Sequence, residues 1–398
     1  MCKVLVSRQA ILNVPNLRFP EFSGEWMSCQ LGKIASLSKG EGISKDQRSI
    51  NGNPCILYGE LYTTYSTEII DEVISKTNLP EKGLVKSKAN DVIIPASGET
   101  AIDISTARCV TRSDVFLGGD LNIIRLKGQD GKFFSYQLNG VRKKDIAKVA
   151  QGVSIVHLHG SDLATVQVNY PSIDEQRKIA FLLSLLDQRI AIQNRLIEDL
   201  KKLKTALCEL LYDESEHNCL IGDLVEQISI RNKQGESFKI LSVSNQLGFV
   251  EQSEQFEGRT IASQDTSNYK IVSLNDFAYN PARINVGSIA KLKVIEKGIV
   301  SPMYVCFRCK DGVLPDYLET FFDTQYFFLE MEKRLEGSVR MCLSFEGLSD
   351  IPINLPSLME QQAIAYRIST LSQKIEIEMK ILKKFIQQKK YVLSNVLI

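Results

Sequence analysis

Two long stretches of the chain carry apolar residues at alternating spacings of three and four, and they fall at equivalent places in its two halves. From near Ile173 to about Leu211 the row is Ile179, Leu182, Leu186, Leu196, Leu200, Leu203, Leu207 and Leu210, interrupted by Arg189 and Gln193. From about Met359 to Val396 it is Ile364, Ile368, Leu371, Ile375, Leu382, Phe385, Val392 and Val396, with Glu378 and Lys389 as polar breaks. Neither stretch contains proline or glycine. This period predicts two helices with coiled-coil seams, each spanning about 55 Å at 1.5 Å per residue. Pro171-Ser172, followed by Asp174 and Glu175, suits a helix start, where side-chain oxygens and negative charge meet free backbone N–H groups. Two stripes of equal length bury each other if the helices pack antiparallel, with a globular unit at either end. The alternative is a single large protein whose helices pack across its own domains.

The rest of each half alternates short β-type runs with turns. Asp91-Val92-Ile93-Ile94, Leu121-Asn122-Ile123-Ile124-Arg125 and Met303-Tyr304-Val305-Cys306-Phe307 are such runs, punctuated by Gly, Asn, Asp and Ser. The halves are copies. Asn169-Tyr-Pro-Ser-Ile-Asp-Glu-Gln176 aligns with Asn354-Leu-Pro-Ser-Leu-Met-Glu-Gln361, Pro171 matching Pro356 at an offset of 356 − 171 = 185. The same offset links Asn90-Asp91-Val92 to Asn275-Asp276-Phe277, Gln151-Gly152 to Glu336-Gly337, and Val166-Gln167-Val168 to Ile351-Pro352-Ile353. An offset held across most of a half marks a tandem duplication.

At 398 residues the chain is too long for one ordinary core, and two to three domains are expected. Hydrophobic residues at 44% and charged residues at 24% describe a globular protein, and no apolar run reaches the length of a membrane span. The N-terminal residues do not read as a signal peptide. Nine cysteines without paired spacing fit reduced thiols in a cytoplasmic protein. No phosphate-binding Gly-x-x-x-x-Gly-Lys-[Ser/Thr] loop occurs, and Asn280-Pro281-Ala282-Arg283 is the nearest approach to an adenine methyltransferase's Asn/Asp-Pro-Pro-aromatic motif. Three histidines, His157, His159 and His217, are too few for an ordinary triad or metal site, and Cys306-x-x-Cys309 lacks a second ligand pair. Catalysis and metal binding therefore have little to stand on. The net charge of +1 lacks the basic excess of many nucleic-acid binders, so basic residues must be gathered locally or affinity must come from partners.

The strand, Pro-Ser-aliphatic-x-Glu-Gln junction and heptad helix, occurring twice, resemble the specificity subunit of Type I restriction–modification systems. So does the N-terminal run Pro15-Asn16-Leu17-Arg18-Phe19-Pro20-Glu21-Phe22, with Gly24-Glu25-Trp26 and Leu31-Gly32-Lys33-Ile34 after it. The resemblance covers essentially the whole chain. It implies an α+β fold: two similar target recognition domains joined by two long helices in an antiparallel coiled coil, with a pseudo-two-fold repeat. The expected domains are residues 1–173 and 214–357, with spacer helices over 174–213 and 358–398. The resemblance implies a non-catalytic subunit that reads a bipartite double-stranded DNA sequence, the helices setting the gap. It would dock two methyltransferase subunits, which a motor–nuclease subunit can join. S-adenosylmethionine would then be bound by the methyltransferase, with no cofactor on this chain. Two rivals are a protein–protein scaffold with duplicated binding domains, favoured by the near-neutral charge, and a catalytic subunit with an unfamiliar site.

Two pairs of segments and one single segment are candidate DNA contacts. Ser97, Gly98, Glu99 and Thr100 follow a strand, and Asn280, Arg283 and Asn285 occupy the matching place in the second copy. Arg283 suits guanine O6 and N7, and the asparagines suit adenine; the alternative is a pair of structural turns. Tyr58-Gly59-Glu60-Leu61-Tyr62-Thr63-Thr64-Tyr65 offers Tyr58 and Tyr62 around Glu60, a possible acceptor for cytosine N4, although core and edge tyrosines are commoner. Arg340, beside Gly337-Ser338, suits a phosphate. His157 falls near it in the alignment and is more often an interior histidine. The runs Arg142-Lys143-Lys144, Lys86-Ser87-Lys88 and Lys201-Lys202-Leu203-Lys204 are either phosphate contacts or solvated faces.

Overall fold

Both heptad stretches form helices of 39 residues, α1 (Ile173–Leu211) and α2 (Leu358–Val396). The computed structural model describes residues 13–152, 154–212, 217–245, 247–252, 265–293, 295–338 and 340–398. The helix starts give the repeated junction a physical meaning. At α2, Ser357 Oγ accepts from the Glu360 N–H (3.4 Å), while the Glu360 carboxylate accepts from the Ser357 N–H (3.0 Å) and hydroxyl (2.7 Å). At α1, Ser172 Oγ accepts from the Glu175 N–H, but the Glu175 carboxylate turns to Arg18 in a bidentate pair at 2.8 Å. The glutamine is a buried latch in both copies. Gln176 donates to Pro171 O (2.9 Å) and accepts from the Asp130 N–H (3.0 Å); Gln361 donates to Pro356 O (2.9 Å) and accepts from the Leu314 N–H (2.8 Å). Asp130 and Leu314 are the N-caps of helices Gly131–Asn139 and Pro315–Phe321. One side-chain amide therefore ties each long helix to the β-rich part beside it.

The chain forms two compact units, one running to Asn194 and taking up Ile381–Ile398, the other Arg195–Lys380. The division falls inside the long helices, because each half-helix packs on its own unit. In the first unit α1 and the end of α2 run antiparallel: Asp187 pairs with Lys389 at 2.6 Å, and Arg189 lies over the Phe385 ring at 4.5 Å. Ile179, Leu183 and Leu186 of α1 share a core with Val396, Leu397, Trp26, Phe133, Phe134 and Tyr136. In the second unit Cys208, Tyr212 and Ile368 pack with Phe277, Phe307, Tyr317 and Phe321. The α2 row lies where its period predicts, but the α1 row needs correction. Leu196, Leu203 and Leu210 are exposed, while Ile197 and Cys208 are buried. Gln193 is buried on the row as a polar break, but Asp187 is buried beside it, so counting leucines selects the neighbouring row.

Among the described residues each unit holds two sheets of four or five strands, beside smaller two-stranded pairs. In the first, one sheet has the order Ala35–Lys39, Leu121–Leu126, Asp91–Pro95, Arg108–Val110 and Ile69–Ile70. The other has the order Arg48–Ser49, Lys76–Thr77, Asn53–Ile56, Phe116–Leu117 and Val85–Lys86. The second unit answers with Val225–Ile228, Val305–Cys309, Phe277–Tyr279 and Ile289–Lys291, and with Gly248–Glu251, Ile240–Ser244, Lys297–Val300 and Lys270–Ser273. A parallel pair recurs at the same place in both: Asn53–Ile56 beside Phe116–Leu117, and Ile240–Ser244 beside Lys297–Val300. Asp91 grips Arg125 with two bonds of 2.7–2.8 Å, and Asp276 grips Arg308 with two of 2.9–3.0 Å. Asn90 and Asn275, one residue earlier, both adopt positive φ (80° and 70°). The duplication thus extends to individual ion pairs and turns.

All cysteines among the described residues are free thiols. Burial first of all pushes Cys55 and Cys208 up to about 11 and Cys109 and Cys306 up to about 12. An unfolded thiol ionises near pH 8.5. Above that value the unfolded chain has lost protons that the folded chain keeps, so stability falls as pH rises. The urea midpoint should be flat from pH 7 to 8 and decline from about pH 9. The slope should be shallower in a Cys109→Ala/Cys306→Ala variant; equal slopes would show that these thiols do not carry the effect.

Candidate nucleic-acid interface

Two segments that the sequence leaves apart meet in the structure. Ser97–Gly98 is a short strand paired antiparallel with Val156–His157, Ser97 opposite His157 and Gly98 opposite Val156. The Leu158 N–H donates to Ala96 O (2.9 Å), and at the equivalent place the Leu343 N–H donates to Pro281 O (3.1 Å). Reciprocal backbone bonds join Gln151 to His157 (2.7 and 2.8 Å) and Glu336 to Cys342 (2.8 and 2.9 Å). The turns between them use Gly152 at φ 121° and Gly337 at φ 122°, where a Cβ would lie 2.1–2.3 Å from the carbonyl oxygens of Ile155 and Arg340. The frame is the same twice.

The side chains on that frame differ. In the first copy Glu99, Thr100 and His157 are exposed, and the His157 ring lies parallel to that of His159 with centroids 6.4 Å apart. The interior reading of His157 is thereby corrected: its strand is at an edge, and its ring projects to solvent. In the second copy Arg283, Asn285 and Arg340 are exposed. Other candidates are taken up locally. Ser97 is buried, and Thr100 caps helix Ala101–Ile104, accepting from the Asp103 N–H (3.1 Å) and donating to its carboxylate (2.6 Å). Asn280 is buried and its Oδ1 accepts from the Ala282 N–H (3.1 Å), holding the turn that presents Arg283.

The tyrosine segment divides in the same way. Arg108 is buried and donates to Leu61 O (3.0 Å) and Tyr65 O (2.8 Å), fixing the turn Glu60–Thr63, and burial lowers its pKa. Tyr62 is exposed, and its hydroxyl lies 3.8 Å from where a Cβ on Gly98 would stand, so it borders the Ser97–Gly98 surface. Partial burial and then Tyr58, Asp103 and Glu99 push its ionisation up. Glu60, however, is buried. One oxygen accepts from the Leu57 N–H (2.9 Å), and the other takes the Ser75 hydroxyl and pairs with Arg48 at 3.5 Å. Tyr58 lines a groove of about 780 Å3 whose other wall is residues 42–45, 47 and 48. The only mark of that wall in the sequence is Gly40-Glu41-Gly42 ahead of Ser44-Lys45-Asp46-Gln47-Arg48, a glycine-flanked polar loop that is not among the candidate contacts.

All three basic runs are partly engaged: Lys86 pairs with Glu81 at 2.8 Å, Lys204 pairs with Asp323 at 2.7 Å, and Lys143 donates to Thr106 Oγ1 (3.2 Å) with its pKa lowered by burial. Among the described residues no cluster of His, Cys, Asp and Glu could hold a metal ion, and no helix is long and apolar enough to cross a membrane.

Known proteins agree with this architecture. The family described as Type I restriction modification DNA specificity domain matches residues 23–202 and again 233–386. The chain is 23% identical to the Type I restriction enzyme MjaVIII specificity subunit of Methanocaldococcus jannaschii, over 96% of this chain and 93% of that one. Its fold is similar to the Type I restriction–modification S subunit from M. genitalium (TM-score 0.64, 16% identity, 97% of this chain and 99% of that one). It is also similar to a chain solved to explain complex assembly and conformational transition of the type I restriction–modification system (TM-score 0.54, 13% identity, 93% and 97%). The scaffold and catalytic readings find no support among these relatives. Two matching domains and the duplicated frame beneath them lead to one conclusion: the chain belongs to the Type I restriction–modification DNA specificity family and is a non-catalytic specificity subunit.

Proposed function

We propose that each unit reads one half of a split double-stranded DNA sequence, while the chain docks two methyltransferase subunits that bring S-adenosylmethionine and methylate adenine. A motor–nuclease subunit joins this complex, which works in the cytoplasm. The observation that carries the DNA reading is the duplicated frame with unlike exposed groups: Glu99, His157 and Tyr62 on one copy, Arg283, Asn285 and Arg340 on the other. Equal frames suit equal partners, and unlike side chains suit unlike base sequences. The test is co-expression with the partner methyltransferase and mapping of adenine methylation across the host genome. A split motif with a fixed gap is expected; methylation without a fixed gap would sink the reading.

A second duplicated feature supports paired docking. On α1 the first unit exposes Phe181 (63%), Leu185 (43%) and Ile192 (70%), and on α2 the second exposes Tyr366 (71%) and Ile377 (51%). Phe181 and Tyr366, and Ile192 and Ile377, stand at the same offset as the repeat. Apolar rows of this kind at helical spacing mark contact surfaces. Ile192→Asp or Ile377→Asp should each remove one methyltransferase subunit from the purified complex, and the double variant both, with the chain's melting temperature unchanged. Unaltered stoichiometry, read as the mass of the complex, would rule this face out.

A further inference from the structure

The groove on the second sheet of the first unit holds an arginine in a way that simple charge neutralisation does not require. Two residues of its lining, Ile43 and Leu57, belong with Cys55 and Phe116 to an apolar cluster that includes no residue of α1 or α2. Arg48 is fixed there from two sides: Nε donates to Lys45 O (3.2 Å), and Nη1 pairs with Glu60 at 3.5 Å. Glu60 is itself immobilised by the Leu57 N–H and the Ser75 hydroxyl. The arginine side chain nevertheless stays 39% exposed against 9% for its carboxylate, and Nη2 has no partner among the described residues. A buried glutamate needing only a counter-charge is served by any cation; here a planar fork is oriented and its outer corner left open.

The charge of the lining says what that corner faces. Lys45 and Arg48 stand against Glu60 and Asp120, so the groove is balanced. A phosphate clamp requires a cationic excess, whereas base edges present donors and acceptors together. We propose that Arg48 reads a guanine in the half-site bound by the first unit, and that Glu60 is its positioning residue. The proposal rests on the DNA reading given above and assigns one of its base contacts. Glu60, which the sequence suggested as a contact to cytosine, acts instead through Arg48.

The experiment compares the methylation motifs produced by full-length wild type, Arg48→Lys and Glu60→Gln, each co-expressed with the methyltransferase. Lysine keeps the charge beside Glu60 but lacks the fork. Arg48→Lys should relax preference at one guanine position in one half of the motif by about tenfold, the low end of the range for an arginine–guanine contact, because only Nη2 is unpartnered. The other half, the gap and the melting temperature should not change. Glu60→Gln should relax the same position to a smaller degree. Should either single variant fold poorly, Glu60→Gln/Arg48→Met removes both charges together and must relax that same position. An unchanged motif in the folded variants, or a uniform loss of methylation with the motif intact, overturns the proposal and leaves the DNA reading standing. A wild-type complex without a split motif overturns both.

Discussion

Replacing Lys389 with alanine is expected to destabilise the first unit by about 3–5 kcal/mol, the cost of stranding buried charge. The Lys389 ammonium lies 2.6 Å from Asp187 and 2.8 Å from Glu68, and the Tyr136 hydroxyl donates to the other Asp187 oxygen at 2.6 Å. All three charged side chains are largely shielded, so the loss of one leaves two carboxylates without a counter-ion. Burial alone pulls the lysine pKa down, but Glu68 and Asp187 outweigh it and the value ends above the ordinary one. A raised lysine contributes stability that is fully present below its unfolded pKa of about 10.4 and is lost as pH rises through the folded value. The difference between wild type and variant should therefore be constant from pH 6 to 9. Urea unfolding measures it directly. A loss under about 1 kcal/mol, the range of an exposed pair, would show that water already screens the cluster. Adding Glu68→Gln and Asp187→Asn should recover part of the loss, since no charge is then left unpaired.

Exchange of residues 1–173 alone for another recognition domain is expected to yield a poorly folded chain. Exchange of residues 1–194 together with 381–398 should yield a folded one that changes a single half of the methylation motif. The reason is the return of the C-terminus to the first unit. Val396 and Leu397 are buried in the core with Trp26 and Phe133, the Leu17 N–H donates to Asn395 O (2.9 Å), and Lys389 reaches Glu68. Each buried aliphatic side chain is worth about 1.5–3 kcal/mol. Mismatching two of them along with the ion cluster approaches the roughly 5–15 kcal/mol that holds a domain together. Melting temperature and soluble yield decide the first claim; a 1–173 chimaera as stable as its parent contradicts it. Methylation mapping decides the second, and a change in both halves would contradict independent reading heads.

Several features were legible in the chain because they are one-dimensional. The 185-residue offset, the two helices and their starts to within one residue, and the α2 row follow from spacing alone. The α1 row departs from its period because Asp187 takes a buried position while Leu196, Leu203 and Leu210 face outward, and local period cannot reveal that a polar residue has a buried partner. The candidate site was legible as segments and illegible as a surface. Ser97–Gly98 meets Val156–His157 only through strand pairing between distant residues, which no local signal encodes. Glu60 and Tyr62 stand two residues apart with similar claims to a DNA contact. One is drawn inward by Leu57, Ser75 and Arg48, and the other projects beside Gly98. The sequence by itself therefore determined the duplication, the helices and the family, since each is written in residue order. Only the tertiary structure decided which side chains of each copy face outward and that the last turns of α2 complete the first unit, because burial and long-range pairing depend on what the rest of the chain brings alongside.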